Sequence, residues 1–227
     1  MKILNGDLTS ILLASAVVLS LALALPVIPP LSSNRALAQF GSNSLVPHDP
    51  IYIDGNDSFT PANGVTSGSG TENDPYVIEG WDISAENDHG IWIYNTTAYF
   101  IIRNCYVHDG RDNYNAGVFL TSVKNGRIDN IVSDNQLEGV CADGISNAVT
   151  NCVISNSQTG ILLYGQDNNL IAGCVLKNCD YGVHLHRSDN HVIKECMVEN
   201  NKNSGIWLFD AKNCLIVNNT VLNNFEG

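Results

Sequence analysis

The chain has 227 residues, of which 23 are acidic and only 11 basic, for a formal net charge of −12 at neutral pH. That balance opposes nucleic acid and acidic lipid as partners and favours cations or neutral molecules. The length suits one domain behind a leader segment.

Residues 1–38 read as a secretory leader. Lys2 is the only early basic residue, Ile11 to Leu25 is an apolar run, and Ala36-Leu37-Ala38 is a small-x-small cleavage site before Gln39. The run is short for a membrane span. The expectation is therefore a secreted, extracellular or cell-surface protein, with a membrane contact only if the leader stays uncleaved. Asn56, Asn95 and Asn218 lie in N-x-S/T sequons, which fits surface glycosylation of a secreted chain. Residues 39–75 are rich in Gly, Ser, Asn and Pro, with Ile51-Tyr52-Ile53 as a candidate strand. They read as an N-terminal cap and linker over an otherwise open sheet edge.

Residues 76–227 carry an internal repeat. Gly90-Ile91, Gly117-Val118, Gly139-Val140, Gly160-Ile161, Gly182-Val183 and Gly205-Ile206 open successive units of about 22 residues. The longer first interval holds an inserted turn, Gly110 to Ala116. Within each unit, short runs of alternating apolar residues are broken by Asn, Gly and Asp, the signature of short strands and tight turns. No segment after residue 40 sustains a helical apolar spacing. Units of this length cannot bury their own apolar face and must stack on copies of themselves. The predicted fold is all-β: a single-stranded parallel β-helix solenoid of about seven rungs, near 35 Å long at about 4.8 Å per rung. Gly227 would open another unit, so a solenoid truncated at its C-terminal end, prone to end-to-end self-association, is expected.

Stacking converts each repeat position into a column. Asn125, Asn147, Asn168, Asn190 and Asn213 are expected to form one Asn ladder at a turn, and Asp109, Asn135, Asn156, Asn178, Asn200 and Asn223 a second. Stacked amides bond to one another and to turn backbone, so these residues read as structural. Cys105, Cys152, Cys174 and Cys196 share a column with Ile131 and Asn219, which points inward. There, buried Cys acts as a small hydrophobe. A disulfide between adjacent rungs such as Cys174 and Cys196, or a zinc site, is the weaker alternative, since strand geometry rarely suits the first and no CxxC pair supports the second. Cys141, Cys179 and Cys214 fall outside that column.

The Gly-(Ile/Val) rungs, the Asn ladders, the leader and the entry segment GTENDPYVIEG resemble the right-handed parallel β-helix repeat proteins of the pectate-lyase-like superfamily. The resemblance is to its NosD-like branch of secreted, often archaeal, proteins. It covers about residues 50–227 and implies the right-handed fold. For function it implies several classes, because the superfamily includes lyases, hydrolases, epimerases, surface adhesins and a copper-handling maturation factor.

In the first strand of each rung, alternate side chains face outward. Rung by rung these are Trp92 and Tyr94, Phe119 and Thr121, Cys141 and Asp143, Leu162 and Tyr164, His184 and His186, and Trp207 and Phe209. Exposed aromatic faces mark a contact surface and suit sugar rings. The expected ligand-binding residues are Trp92, Tyr94, Phe119, Tyr164, His184, His186, Trp207 and Phe209, with a polysaccharide or cell-surface glycan as partner. The inserted turn covering part of this face is the competing expectation.

His184 and His186 lie two apart on a strand and so share a face, with Asp143 as a candidate third metal ligand. A divalent cation, calcium or copper, would then be the cofactor, as in a NosD-like copper-handling protein. A uronate lyase or epimerase would need a charge neutraliser and a base, for which Arg187, His186 and Tyr164 are the catalytic candidates. A glycosidase pair is excluded on spacing: Asp143 and Asp210 stand three rungs apart, about 14 Å, beyond the roughly 5 to 10 Å such a pair needs.

Overall fold

The computed structural model describes residues 45–165 and 167–226. The leader reading for residues 1–38 and the opening of the 39–75 segment lie outside them. Apart from 3-10 turns at Asn56–Ser58, Pro61–Asn63 and Arg111–Asn113, the described residues form short strands and turns. No helix among them is long and apolar enough to cross a membrane.

The strands wind into a parallel β-helix of three sheets. A front sheet of seven strands runs from Ile51–Asp54 through Ile91–Thr96, Val118–Lys124, Glu138–Ile145, Thr159–Tyr164 and Tyr181–His186 to Ile206–Phe209. A second sheet of eight strands extends from Val65–Ser67 to Leu215–Val217, and a third of eight from Val46–Pro47 to Thr220–Leu222. Parallel neighbours need a long connection between them. Here the connection is the rest of the same coil, so each turn of chain feeds all three sheets. The segment expected to act as a cap contributes one edge strand to each: Val46–Pro47, Ile51–Asp54 and Val65–Ser67. Only the last of these runs antiparallel to its neighbour.

Register between rungs turns the sequence repeat into core columns. Ile91, Val118, Val140, Ile161 and Val183 stack in one, and Ile93, Leu120, Ala142, Leu163 and Leu185 in the next. All are at most 1% exposed and belong to one continuous core. In the last described rung Leu208, which continues the second of these columns, is 37% exposed, and Ile216 of the second sheet is 42% exposed.

The unit-opening glycines have a steric cause rather than a dihedral one. Each lies directly over the next: a Cβ on Gly117 would sit 2.7 Å from the Gly139 carbonyl oxygen, and a Cβ on Gly139 2.7 Å from that of Gly160. The same Cβ on Gly139 would also strike the inward Ile154 side chain. The rungs close up at this corner only because no side chain stands between them.

At the other corners the backbone turns through the left-handed region. L-residues pay a steric penalty there that Asn tolerates best. Accordingly, Asn104, Asn130, Asn151 and Asn218 hold positive φ before the third sheet. Asp109, Asn135, Asn156, Asn178, Asn200 and Asn223 do so after it, as their column predicts. The first ladder needs correcting. Asn125, Asn168, Asn190 and Asn213 share the left-handed corner before the second sheet, but Ser146 takes it in the remaining rung and Asn147 is the residue after. The shift follows from a bulge between Asp143 and Gly144.

The buried ladders run one residue beyond the corners. Gly126 N–H donates to Asn147 Oδ1 at 2.9 Å, Asn147 N–H to Asn169 Oδ1 at 2.8 Å, and Asn169 N–H to His191 Nδ1 at 3.1 Å. On the other side, Cys179 N–H donates to Asn201 Oδ1 and Asn201 N–H to Asn224 Oδ1, both at 2.9 Å. These bonds satisfy amides that would otherwise be buried unpaired.

The cysteine column is inward, as expected. Cys105, Cys152, Cys174 and Cys196 are at most 2% exposed, and all seven cysteines are free thiols. Burial pushes the Cys105 and Cys179 thiols up to about 12, which leaves them unreactive. Asn219, at the same place in the last rung, donates to Ile193 O at 2.9 Å, while the Cys174 thiol reaches Val149 O at 3.5 Å. The column therefore accepts any small group that can approach a carbonyl of the rung before.

Two substitutions test this packing by chemical denaturation. Gly139→Ala forces the stacked corner apart and should cost about 1–3 kcal/mol. Leu185→Asp buries a charge without a partner and should cost several kcal/mol. Wild-type stability in either variant would contradict the register.

Candidate functional site: the outer face of the front sheet

Alternation along the front strands sends one residue into the core and the next to solvent. Ile91 and Ile93 are fully buried, whereas Trp92 is half-buried and Tyr94 is 37% exposed. Tyr164 and Phe209 are exposed at 46% and 44%. The in-register pairs Trp92 with Phe119, His184 with Trp207, Tyr164 with His186, and His186 with Phe209 follow from strand pairing alone.

The rings gather into two patches rather than one stripe. In the first, the Trp92 ring lies 4.9 Å from Tyr52 and 5.7 Å from Phe119, centroid to centroid, and His89 packs on both Trp92 and Phe119. In the second, Trp207 stacks on His184 at 4.1 Å and on Tyr181 at 5.1 Å. His186 lies between Tyr164 at 5.0 Å and Phe209 at 4.9 Å. Cys141 and Leu162 separate the patches in the ring column, and Cys141 is only 8% exposed.

Tyr52, His89 and Tyr181 are rings that the repeat pattern did not single out. His89 and Tyr181 occupy the place just before the unit glycine, outside the alternating run. Tyr52 belongs to a strand that lacks that glycine, although the Ile51-Tyr52-Ile53 alternation already carried its signal. The inserted turn runs along the corner between the third and front sheets. Arg111 anchors it there, donating to Asn156 O at 2.7 Å and to Asp180 Oδ2 at 3.1 Å. Asn115 ties its far end to Ala85 O at 2.8 Å, and Tyr114 stays 75% exposed.

Electrostatics divide the face. Burial holds the His184 imidazole below its ordinary value, and the neighbouring His186 pushes the same way. Burial likewise lowers His89, partly offset by Asp88; its Nδ1 accepts from Ala116 N–H at 2.9 Å. Burial also raises the half-buried Glu138 carboxyl above the ordinary carboxylate value. Trp92 Nε1, Thr121 Oγ1 and His184 Nε2 are buried atoms with no hydrogen-bond partner among the described residues.

Of the catalytic candidates, Tyr164 and His186 are brought together. Arg187 follows His186 at positive φ, in the turn beyond the strand, and is exposed. For a metal, the two imidazoles approach with ring centroids 5.4 Å apart. Asp143 sits opposite Thr121, in a different part of the sheet from His184. Among the described residues, no group of three or more His, Cys, Asp or Glu is gathered closely enough to hold a metal ion. Two clefts lie at the N-terminal coil, away from this face: one of about 440 Å³ against Asn56, Glu72, Tyr76 and Tyr99, and one of about 350 Å³ against His48, Asp82 and His108.

A family model described as "Right handed beta helix region" matches residues 116–227. Among solved structures, the chain is similar to pectate lyase Pel9A, at 15% identity and a TM-score of 0.45, over 78% of this chain and 50% of that one. It is also similar to PfbA, a surface adhesin of Streptococcus pneumoniae, at 11% identity and a TM-score of 0.34, over 81% and 72% of the two chains. A third is the A-module of the Azotobacter vinelandii mannuronan C-5 epimerase AlgE4, at 14% identity and a TM-score of 0.30, over 82% and 70%. The chain spans half the length of the pectate lyase. No curated protein matches it in sequence. The chain is a right-handed parallel β-helix protein, as its repeat and entry segment led us to expect.

The state of His184 gives a direct test. Its folded value lies below the ordinary 6.5, so between the two the unfolded chain binds more protons and stability falls as pH is lowered through that window. In an NMR titration the His184 ring should take up its proton below pH 6.5. A midpoint at or above that value would contradict the packing on Trp207.

Proposed function

We propose that this protein is a secreted carbohydrate-binding β-helix that holds a polysaccharide or cell-surface glycan along the outer face of its front sheet. One observation carries the reading: two patches of partly exposed rings stand in register on one sheet face. Trp92, Tyr94 and Phe119 lie in or beside the first, and Tyr164, His184, His186, Trp207 and Phe209 belong to the second. Exposed aromatic patches of this size on a protein surface commonly mark contact surfaces. Ring faces pack against the apolar faces of sugars, while neighbouring polar groups meet the hydroxyls. The strong negative charge leaves neutral glycans as more fitting partners than nucleic acid.

A second reading, a polysaccharide lyase or epimerase, draws on the adjacency of Tyr164 and His186 across neighbouring strands, with Arg187 in the turn beyond. Such an enzyme needs a base beside a group that neutralises the substrate carboxylate. Copper or calcium handling through His184, His186 and Asp143 has less support, because His184 is engaged with Trp207.

Isothermal titration with a glycan panel, run beside an assay for unsaturated uronate product, separates the readings. Trp92→Ala and Trp207→Ala should each weaken glycan binding by about tenfold or more, equal to about 1.4 kcal/mol. Product formation lost in His186→Ala would select the enzyme. Unchanged affinity in both tryptophan variants would remove the ring platform as the binding surface.

A further inference from the structure

The two ring patches are separated by one strand, Glu138–Ile145, and that strand carries the carboxyls of the platform's centre. Glu138 stands at its start, half-buried and in no ion pair among the described residues, and Asp143 near its end, in the same outward column as Thr121 and His186. Cys141 lies between them on the outer face, its thiol raised first by burial and then by the charges of Glu138 and Asp143. Asp54 adds a third carboxyl beside Tyr94 in the outermost strand. Lys124 and Arg187 are exposed where the chain leaves the sheet, beyond the ring columns, and Arg111 and Lys202 at the opposite corner are paired with Asp180. The face also offers His184, whose imidazole burial keeps from charging at neutral pH.

The strand of Phe119 and the strand of His184 are three rungs apart, about 14 Å at the spacing of paired strands. A linear chain of sugars resting on both patches must cross the Glu138–Ile145 strand, passing between Glu138 and Asp143. A uronate polymer carries one carboxylate on every sugar and would bring its charges in between these two carboxyls, with no Lys or Arg on that strand to offset them. Like charges at close quarters across an interface oppose binding unless compensated. A neutral chain meets no such penalty, and its hydroxyls can donate to the carboxylates.

We infer that the front face selects uncharged polysaccharide over polyuronate, with Glu138 and Asp143 as the groups that turn acidic chains away. The inference rests on the carbohydrate-binding reading above and adds the class of glycan. Its logic is that of specificity by repulsion, in which the discriminating residues oppose the wrong ligand more than they attract the right one.

The experiment compares a neutral hexose hexasaccharide with a hexauronate of the same length, using quenching of tryptophan fluorescence by the secreted protein. The neutral chain should bind at least about tenfold more tightly at low ionic strength. Raising salt toward 1 M, where the screening length falls to about 3 Å, should bring the two affinities together. In the double variant Glu138→Gln, Asp143→Asn the ratio of neutral to uronate affinity should fall toward one. Both substitutions are on the outer face, and the salt series supplies the same information without any substitution. Equal or tighter binding of the uronate by the unaltered protein overturns the selectivity while leaving the platform standing. A preference for the neutral chain that neither salt nor the double variant reduces also overturns it. Failure of both chains to quench overturns the platform and the selectivity together.

Discussion

A chain that winds through three sheets must turn sharply at every corner of every coil, and each turn strips backbone amides of their partners. The resolution of that problem holds the rest of the molecule in place. A residue at positive φ makes the turn, and the next residue points inward and bonds to the same place in the neighbouring rung. Asn147 to Asn169 to His191 is one such chain of bonds, and Cys179 to Asn201 to Asn224 another. Because each bond joins equivalent places, the rungs cannot slip by a residue without breaking a whole ladder, and a slip of one residue would also turn every core side chain outward. The glycine corner adds a steric condition: coils approach so closely there that a Cβ has no room.

Fixed register is what gives the front face its chemistry. A single aromatic residue on a lone strand is an isolated exposed ring. The same residue repeated at one place in successive rungs becomes a surface of rings about 5 Å apart, the spacing of paired strands. Trp92 with Phe119, and His184 with Trp207, are neighbours for this reason alone. Substitution at the same places by Cys141 and Leu162 divides the surface into two patches. The strand that divides them bears Glu138 and Asp143, so the geometry that builds the platform also sets a charge at its middle.

Much of this was legible in the residues. The period of about 22, the inward aliphatic columns and the inward cysteine column all depend on local alternation and a constant repeat, which a linear reading captures. Asn147 was misplaced because its rung reaches the corner one residue sooner than the others, the register passing over Ser122 of the neighbouring strand, so counting from the glycine no longer lands on the corner. Cys179 and Cys214 looked unattached, yet each follows a corner Asn and so occupies a ladder place. Tyr181 and His89 escaped notice because they precede the glycine, where alternation stops. Glu138 gave no sign in the sequence, since its partial burial arises from neighbours on other rungs. The division into two patches was present in Cys141 and Leu162 but acquires meaning only when ring distances are known.

The central claim is that the ring patches of the front sheet form one binding platform for an extended sugar chain. A crystal structure of the protein with a neutral hexose hexasaccharide tests it most directly. The account predicts sugar rings lying on Trp92 and Trp207, with continuous density crossing the Glu138–Ile145 strand. A saccharide seated instead in the cleft beside His48 and His108, or along the second or third sheet, would contradict it.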